Sequence, residues 1–216
     1  MCSIVIPTFN RKKFEKLIEY NIKCQTYPNI IEVVIGDDGD DDQMLELDIP
    51  YPIQYVKCKR MNIGQKRNLI ASKCKGKYIA HMDTDDVYFP TYIQHSISLL
   101  EKEKKEAVGT SDMIFVYPDG HTGSMMNPWL SMANEATLVY TKKFWEERHF
   151  SEQQSSEGIY FLEGRHWQTT HSTVSQVMVC ICHSSNTVDK NIWRKDLQAV
   201  LPNYDAHKEI LKTIKL

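Results

Sequence analysis

The feature that most constrains the fold is a regular alternation of strand and helix patterns along the first half of the chain. Apolar residues have helical spacing in 11–25, a helix is expected around 65–75, and Pro90 opens a further helix through Leu100. Short apolar, β-prone segments alternate with these helices and lie at 3–7, 31–36, 53–57 and 77–82. Strands that alternate with helices need crossover connections. The pattern therefore predicts an α/β fold with a mostly parallel central sheet flanked by helices.

The second half loses this rhythm. Pro118-Asp119-Gly120 indicates a hairpin, residues 135–148 indicate a strand that runs into a helix, and 174–182 alternate as a further strand. Residues 189–214 are typical of two terminal helices broken near Pro202. Because neither a repeat nor a linker interrupts the chain, we expect residues 1–216 to form a single domain whose halves share one sheet.

Composition excludes several classes of protein. The 216 residues are 42% apolar and 25% charged, which is enough for one sizeable core, and the net charge of −2 provides no broad attraction to nucleic acid. An apolar run long enough to span a bilayer is absent from the sequence, and the chain begins directly with a strand instead of a signal peptide. We expect a soluble, cytoplasmic protein with no nucleic-acid partner and no membrane span.

Two acidic clusters follow predicted strands. Residues 36–42 read GDDGDDD, and residues 83–86 read DTDD. Ligands of open parallel sheets bind beyond the carboxyl ends of the strands, where both clusters would lie. For the first cluster, helix capping or a polar turn is about as good an explanation as ligand binding. For 83–86, capping or a turn is the weaker explanation, because crowded carboxylates repel one another unless a cation is bound. A divalent cation completed by substrate phosphates is the natural partner.

Basic residues lie between the two clusters along the chain. They surround Gly64 and are Lys57, Lys59, Arg60, Lys66 and Arg67. Some of them are expected to be solvated surface. Arg67 is the strongest candidate for anion binding, because the pattern places it at the beginning of a helix, where the helix N-terminus also favours negative charge.

Five stretches of sequence, in order, resemble the GT-A glycosyltransferases, in particular family 2. They are SIVIPTFNR, EVVIGDDG, NIGQKRN, YIAHMDTDDVYFP and ATLVYTKKFWEERHFSE. The resemblance covers about residues 3–165. It implies a GT-A fold with a nucleotide-sugar-binding half over 1–110, and a smaller mixed acceptor-side region with C-terminal helices over 111–216. Small members of this kind also occur in large DNA viruses as modules of longer capsid-glycosylating proteins, so the resemblance extends to a module of a larger protein.

The resemblance implies a metal-dependent, inverting glycosyltransferase. It would transfer a hexose or deoxyhexose from a nucleotide-sugar, usually a UDP-sugar, to a hydroxyl on a glycan or glycoprotein. The implied metal ligands for Mn²⁺ or Mg²⁺ are Asp85, Asp83 and His183. The other implied donor-site residues are Pro7, Thr8 and Arg11 along the nucleotide, Asp37 and Asp38 at the base, Arg67 near the base or phosphates, and Asp83 with Thr84 near the ribose or sugar.

The catalytic base of the family usually lies in a Glu-Asp pair near the start of a later helix. In this sequence Glu157 aligns with that pair, and Gly158 stands where the second carboxylate would be. Glu157 is therefore the predicted base, with Glu163 and Asp119 as alternatives. An acceptor pocket is predicted around the remaining candidates, which are Trp129, Asn134 and Trp167.

Two other functions remain open at this point. Residues 83–87 also fit the first motif of haloacid-dehalogenase-type phosphatases, in which Asp83 would be the nucleophile. That chemistry needs a later acidic pair, whereas the second acidic cluster of this chain lies upstream, so the order favours glycosyl transfer. The other alternative is a catalytically inactive nucleotide-sugar-binding module, which Gly158 alone suggests.

Overall fold

The computed structural model describes residues 1–125, 133–186 and 189–198. The strands of the first half are β1 (Cys2–Thr8), β2 (Ile30–Asp37), β3 (Ile53–Lys57), β4 (Tyr78–His81) and β5 (Val87–Tyr88), with helices α1 (Glu15–Lys23), α2 (Ile63–Lys73) and α3 (Tyr92–Glu103). Those of the second half are β6 (Ala107–Gly109), β7 (Met113–Val116), β8 (Thr122–Met125), β9 (Val139–Thr141), β10 (Thr169–His171) and β11 (Met178–Ile181), with short helices α4 (Lys142–Glu147) and α5 (Glu157–Leu162).

A seven-stranded sheet forms the centre, in the order β10-β6-β9-β4-β1-β2-β3. Strands β1 to β4 pair in parallel, whereas β9 runs antiparallel to both β4 and β6. Every residue of β1 is buried, and its apolar side chains alternate between two core clusters, with Ile4 and Ile6 on one face and Val5 on the other. Burial on both faces explains the continuous apolar run of this strand.

A second, four-stranded sheet has the order β5-β11-β7-β8. Strands β7 and β8 form the predicted hairpin, and Gly120 takes a φ of +82° in its turn. The short β5 belongs to the first half of the chain but pairs antiparallel with β11. The mostly parallel central sheet and the smaller mixed region are therefore both confirmed.

Two helix predictions need correction. Helix α2 begins at Ile63 because Asn62 and Gln65 form a capping box, in which the Asn62 side chain accepts from the Gln65 backbone N–H. Arg67 therefore lies inside α2 and not at its beginning. Within 189–198 the chain forms only a 3₁₀ turn, Lys190–Trp193, so the helix predicted there is wrong. The rest of the predicted terminal helices, including Pro202, lies outside the described residues.

Close backbone approach joins α2 to the segment that precedes α5. The Gly64 backbone N–H donates to the Gln153 carbonyl at 3.1 Å, and a β-carbon at position 64 would lie only 1.8 Å from the Ser151 carbonyl oxygen. Only glycine permits this approach. The contact brings α5 of the second half beside α2 of the first, next to the carboxyl ends of β1 and β4.

Candidate active site

A cavity of about 660 Å³ opens at the carboxyl ends of β1 and β4. Its wall combines the ends of these strands with α2, the start of α5, residues 133–135, and the side chains of Asn186, Lys190 and Trp193. The expected edge of the sheet is therefore the edge that carries the cavity. Of the predicted site residues, those that line it are Pro7, Thr8, Arg11, Arg67, Asp83, Thr84, Asp85 and Glu157.

The three carboxylates of 83–86 have three different environments. Asp83 pairs with Arg67, with 3.2 Å between its Oδ1 and Arg67 Nη1. Asp85 Oδ2 lies 3.0 Å from His183 Nε2 and 3.7 Å from Arg11 Nη2. Asp86 is buried, and its Oδ1 accepts from the Ile181 backbone N–H at 3.1 Å. Separate partners thus relieve the repulsion that the sequence pattern implies.

The pKa values of two of these carboxyls move in opposite directions. Burial acts to raise the pKa of Asp85, but the hydrogen bond with His183 and the charge of Arg11 hold it below its ordinary value. Burial, together with the neighbouring Asp85 and Asp83 charges, raises the pKa of Asp86 to about 7 against the effect of Lys190. Asp85 is therefore the carboxylate that stays ionised at neutral pH.

Arg67 is the buried cation that joins the two halves of the site. Its Nε donates to Glu157 Oε1 at 2.8 Å, and its Nη1 donates to His81 Nδ1 at 2.7 Å as well as to Asp83. Arginine can only donate, so His81 Nδ1 accepts and its Nε2 carries the proton toward Tyr140 Oη, 2.8 Å away. Burial and the Arg67 charge lower the pKa of His81 well below its ordinary value, so the imidazole is neutral.

Asp37 and Asp38 lie behind the cavity wall. Asp38 accepts from Lys66 Nζ, from Arg60 Nη1 at 3.1 Å and from the Met61 backbone N–H at 3.0 Å. Burial acts to raise the pKa of Asp38, but the Lys66 ammonium holds it below its ordinary value. Asp37 accepts from the Tyr55 hydroxyl at 2.7 Å. The structure therefore brings Lys66 and Arg60, not the two carboxylates, to the cavity. Base binding by Asp37 and Asp38 stays a prediction.

Two donor-site candidates near the end of β1 present polar groups to the cavity. The Thr8 hydroxyl is buried and has no hydrogen-bond partner within the described part of the chain. The Arg11 guanidinium donates to the Ser185 carbonyl at 2.7 Å and so lies beside Asp85 and His183. A hydroxyl without a partner and a cation in the wall of one cavity can together bind an anionic, hydroxyl-rich ligand.

Glu157 begins α5 and is 3% exposed. A second carboxyl, Glu135, also lines the cavity, and its Oε1 accepts from the Gly158 backbone N–H at 2.9 Å. Burial and the Glu157 charge raise the pKa of Glu135 to about 7, against the effect of Arg67. Sequence reasoning missed Glu135, because it lies in a 3₁₀ turn that carries no motif. Gly158 was the available signal, because a glycine where the family usually has a second carboxylate indicates that another part of the chain could supply that group.

Several secondary candidates are placed differently from the predictions. Asn134 lines the cavity, whereas Trp167 is 65% exposed and is not among the lining residues, so its role in an acceptor pocket stays a prediction. Trp129 lies outside the described residues. Glu163 and Asp119 do not line the cavity either, and Asp119 pairs with Arg194 near the β7–β8 turn. Trp193 and Lys190 line it, although the sequence did not single them out.

Possible ligands for a divalent cation are Asp85 and His183. A carboxylate and an imidazole within 3.0 Å of each other are a donor set that suits Mn²⁺, with the remaining ligands supplied by a substrate. The predicted third ligand, Asp83, is instead held by Arg67. Among the described residues, no group of three or more His, Cys, Asp or Glu side chains is arranged to hold a metal. Asp85 and His183 would therefore supply only part of the ligands that a divalent cation needs.

The model of the family described as Glycosyl transferase family 2 matches residues 3–176. This chain belongs to that family. Membership of family 2 favours glycosyl transfer over the phosphatase alternative.

Curated relatives of this family 2 chain match about half of it. An uncharacterized glycosyltransferase of Rickettsia prowazekii is 32% identical over 104 residues, which are 47% of this chain and 32% of that protein. The E. coli UDP-Glc:alpha-D-GlcNAc-diphosphoundecaprenol beta-1,3-glucosyltransferase WfaP is 31% identical over 108 residues, 48% of this chain and 43% of WfaP. The chain thus spans less than half the length of these relatives. Since both are bacterial, the predicted viral module gains no support from them.

Solved structures share the fold. S. aureus TarS in complex with UDP has a TM-score of 0.65 at 15% identity, covering 83% of this chain and 60% of the TarS chain. The mannosyltransferase PcManGT from Pyrobaculum calidifontis, in complex with GDP-Man and Mn²⁺, has a TM-score of 0.62 at 12% identity, covering 100% and 70%. The predicted GT-A fold is confirmed. In the described part of the family 2 chain, no helix is both long and apolar enough to span a membrane.

Proposed function

We propose that this chain is a metal-dependent, inverting glycosyltransferase that moves a sugar from a UDP-sugar to a hydroxyl on a glycan or glycoprotein. The observation that carries the proposal is the pairing of Asp85 with His183 and Arg11, where Asp85 and Arg11 line the cavity at the carboxyl ends of the parallel strands and His183 lies behind Asp85. Family membership, the UDP in the TarS structure and the UDP-Glc in the name of WfaP support the donor class.

The donor side of the cavity suits a nucleoside diphosphate. Arg11 and Lys190 supply positive charge, and the Thr8 hydroxyl is a free hydrogen-bonding group. Lys66 and Arg60 add charge where the resemblance places the base and ribose. Cations on several elements around one cavity bind an anionic ligand more strongly than the small net charge of the protein suggests.

Asp85 and His183 would hold Mn²⁺ or Mg²⁺. When bound, the cation would offset the negative charge that develops on the departing diphosphate. Arg11, 3.7 Å from Asp85, would add a second positive charge on the same side. As predicted, Asp83 and Thr84 would approach the ribose or sugar, with Asp83 held in place by Arg67.

The acceptor side carries the two carboxyls, Glu157 and Glu135. A carboxylate there would take the proton from the acceptor hydroxyl, a step that contributes about 10²- to 10⁴-fold in rate. Attack from the side opposite the diphosphate in a single displacement inverts the anomeric centre. Because the wall supplies carboxyls for this step, the structure favours an active enzyme over the inactive binding module.

Calorimetry tests the donor and metal assignments together. We expect UDP to bind the unaltered protein with Mn²⁺ and to bind at least tenfold more weakly with chelator. Asp85→Ala should abolish the metal-dependent part, because it removes the ionised ligand. The control is Asp42→Ala, which deletes an exposed carboxylate and should bind UDP normally.

Two results would contradict this proposal. Equal UDP affinity with Mn²⁺ and with chelator would show that a metal ion takes no part in UDP binding. Binding of GDP but not UDP would retain the fold and the metal but replace the donor by a GDP-sugar.

A further inference from the structure

The Glu135 carboxyl is fixed in position by its neighbours along the chain. Asn134 caps the 3₁₀ turn Glu135–Thr137 by accepting from the Ala136 N–H at 3.0 Å, and its own backbone N–H donates to the Thr110 carbonyl at 3.0 Å. The Tyr88 hydroxyl donates to the Ala136 carbonyl at 2.9 Å. A buried turn with these anchors holds its side chain in a defined place, as a reacting group requires.

Gly158 leaves room for this carboxyl. A β-carbon at position 158 would lie 2.8 Å from both Cγ and Oε1 of Glu135, closer than such atoms approach. The Gly158 N–H donates to the same Oε1 at 2.9 Å. Glu135 therefore occupies the space that a side chain at position 158 would need, immediately after Glu157 and beside the start of α5.

The two carboxyls differ in availability. Glu157 accepts from Arg67 Nε at 2.8 Å, and its side chain is 4% exposed. A carboxylate in a buried ion pair is held by its partner and is a poor proton acceptor. Glu135 is half-buried and reaches the cavity, and the charged groups that face it are Glu157 from α5 and Arg67 from α2. Its pKa of about 7 matches the range in which a base acts most effectively at neutral pH.

We infer that Glu135 is the catalytic base and that Glu157 is a positioning residue that holds Arg67. The inference rests on the proposed function. The acceptor O–H bond breaks and its proton passes to a Glu135 carboxylate oxygen. The acceptor oxygen forms the new bond to the anomeric carbon, and the electron pair of the old C–O bond leaves with the diphosphate. Position 158 lacks a carboxylate, and the 3₁₀ turn before β9 supplies one through Glu135.

The first test is turnover of UDP-glucose and UDP-N-acetylglucosamine with Mn²⁺ and methyl glycosides as acceptors, measured as UDP release. Glu135→Gln preserves the acceptor for the Gly158 N–H, so it should bind UDP normally while kcat falls about 10²-fold or more with donor KM unchanged. The matched control, Glu146→Gln, changes an exposed glutamate of α4 and should retain full turnover.

The second test moves the carboxylate. Glu135→Ala combined with Gly158→Asp returns a carboxylate to the same space from α5, and should recover at least tenfold of the rate that Glu135→Ala loses. In the unaltered chain kcat should rise with pH and level off above about pH 7, because the base must be deprotonated. In the double variant the rise near pH 7 should be absent. A merely structural role of Glu135 would not explain that change in the pH profile.

The outcomes separate the two proposals. Absence of both UDP binding and UDP release in the unaltered chain would contradict the proposed function itself. Normal UDP binding with full turnover in Glu135→Gln would overturn only the assignment of Glu135. A larger loss of turnover in Glu157→Gln than in Glu135→Gln, with UDP binding retained, would return the catalytic role to Glu157.

Discussion

Arg67 shows how one buried side chain can hold several parts of a site together. Its guanidinium contacts His81, Asp83 and Glu157, which come from three different elements or loops of the chain. Burial acts against its charge, but Asp83 and Glu157 raise the pKa of Arg67 above its ordinary value. The planar fork of arginine donates in several directions at once, which a lysine cannot reproduce.

Arg67→Met should therefore be strongly destabilising. It leaves the buried Glu157 carboxylate unpaired, and breaking a buried ion pair costs about 3–5 kcal/mol. Urea denaturation measures the loss, with Lys73→Met on the exposed face of α2 as the control, expected to stay within about 0.5 kcal/mol of the unaltered protein. A loss below about 1 kcal/mol for Arg67→Met would show that the ion pairs are not important for stability.

At the scale of elements, the junction between α2 and the segment before α5 sets the distance between the two halves of the site. Glu157 stands at the start of α5, only a few residues beyond Ser151 and Gln153, which contact Gly64. Arg67 lies one turn further along α2. The Glu157–Arg67 contact therefore depends on how closely the backbones approach at Gly64.

Gly64→Ala should disturb both stability and turnover. Its β-carbon would lie 1.8 Å from the Ser151 carbonyl oxygen, so the backbone must move, at a cost of about 1–3 kcal/mol. Thermal unfolding and UDP release should both decline, whereas Ser72→Ala, an exposed change on the same helix, should leave both nearly unchanged. Unchanged turnover in a destabilised Gly64→Ala would indicate that α5 adjusts independently of α2.

The sequence predicted elements with strong apolar patterns well. Strand β3 was placed at 53–57, where the structure has it, and the hairpin at Gly120 followed from its turn chemistry. Helix α2 was placed two residues late because its capping box was not recognised. The candidate site residues differ in how far the sequence could indicate them. Asp85 and His183, which the resemblance implies as metal ligands, lie 3.0 Å apart in the structure. Glu135 was missed, since its contact with Gly158 is tertiary and no local pattern encodes it.

At the scale of the whole molecule, stability should depend on the protonation of Glu135. Its pKa is about 7 in the folded protein, against an ordinary value of 4.5. Between these pH values the folded protein retains a proton that the unfolded chain has lost. The contribution of Glu135 to the free energy of unfolding should therefore fall as the pH rises from about 4.5 to about 7. His81, whose pKa is lowered in the folded protein, contributes a change of opposite sign below its ordinary pKa of 6.5.

Urea denaturation at about pH 5 and about pH 7.5, with chelator present, of the unaltered protein and of Glu135→Gln isolates this contribution. The variant cannot titrate at position 135, so its stability relative to the unaltered protein should be higher at about pH 7.5 than at about pH 5, while Asp86 and His81 titrate in both proteins. An equal change of stability in the two proteins would show that Glu135 titrates in its ordinary range.

Strand β9 has a consequence for how such chains can be divided. It lies between β4 and β6 and pairs antiparallel with both, so a fragment that ended near residue 110 would leave the edge of β4 without its neighbour and β6 without any partner. Unpaired edges recruit strands from other molecules and promote aggregation. A chimaera that joins this donor-binding half to the acceptor half of another protein would therefore fold only if the new half supplies a strand that pairs with β4 and β6 in the register of residues 139–141.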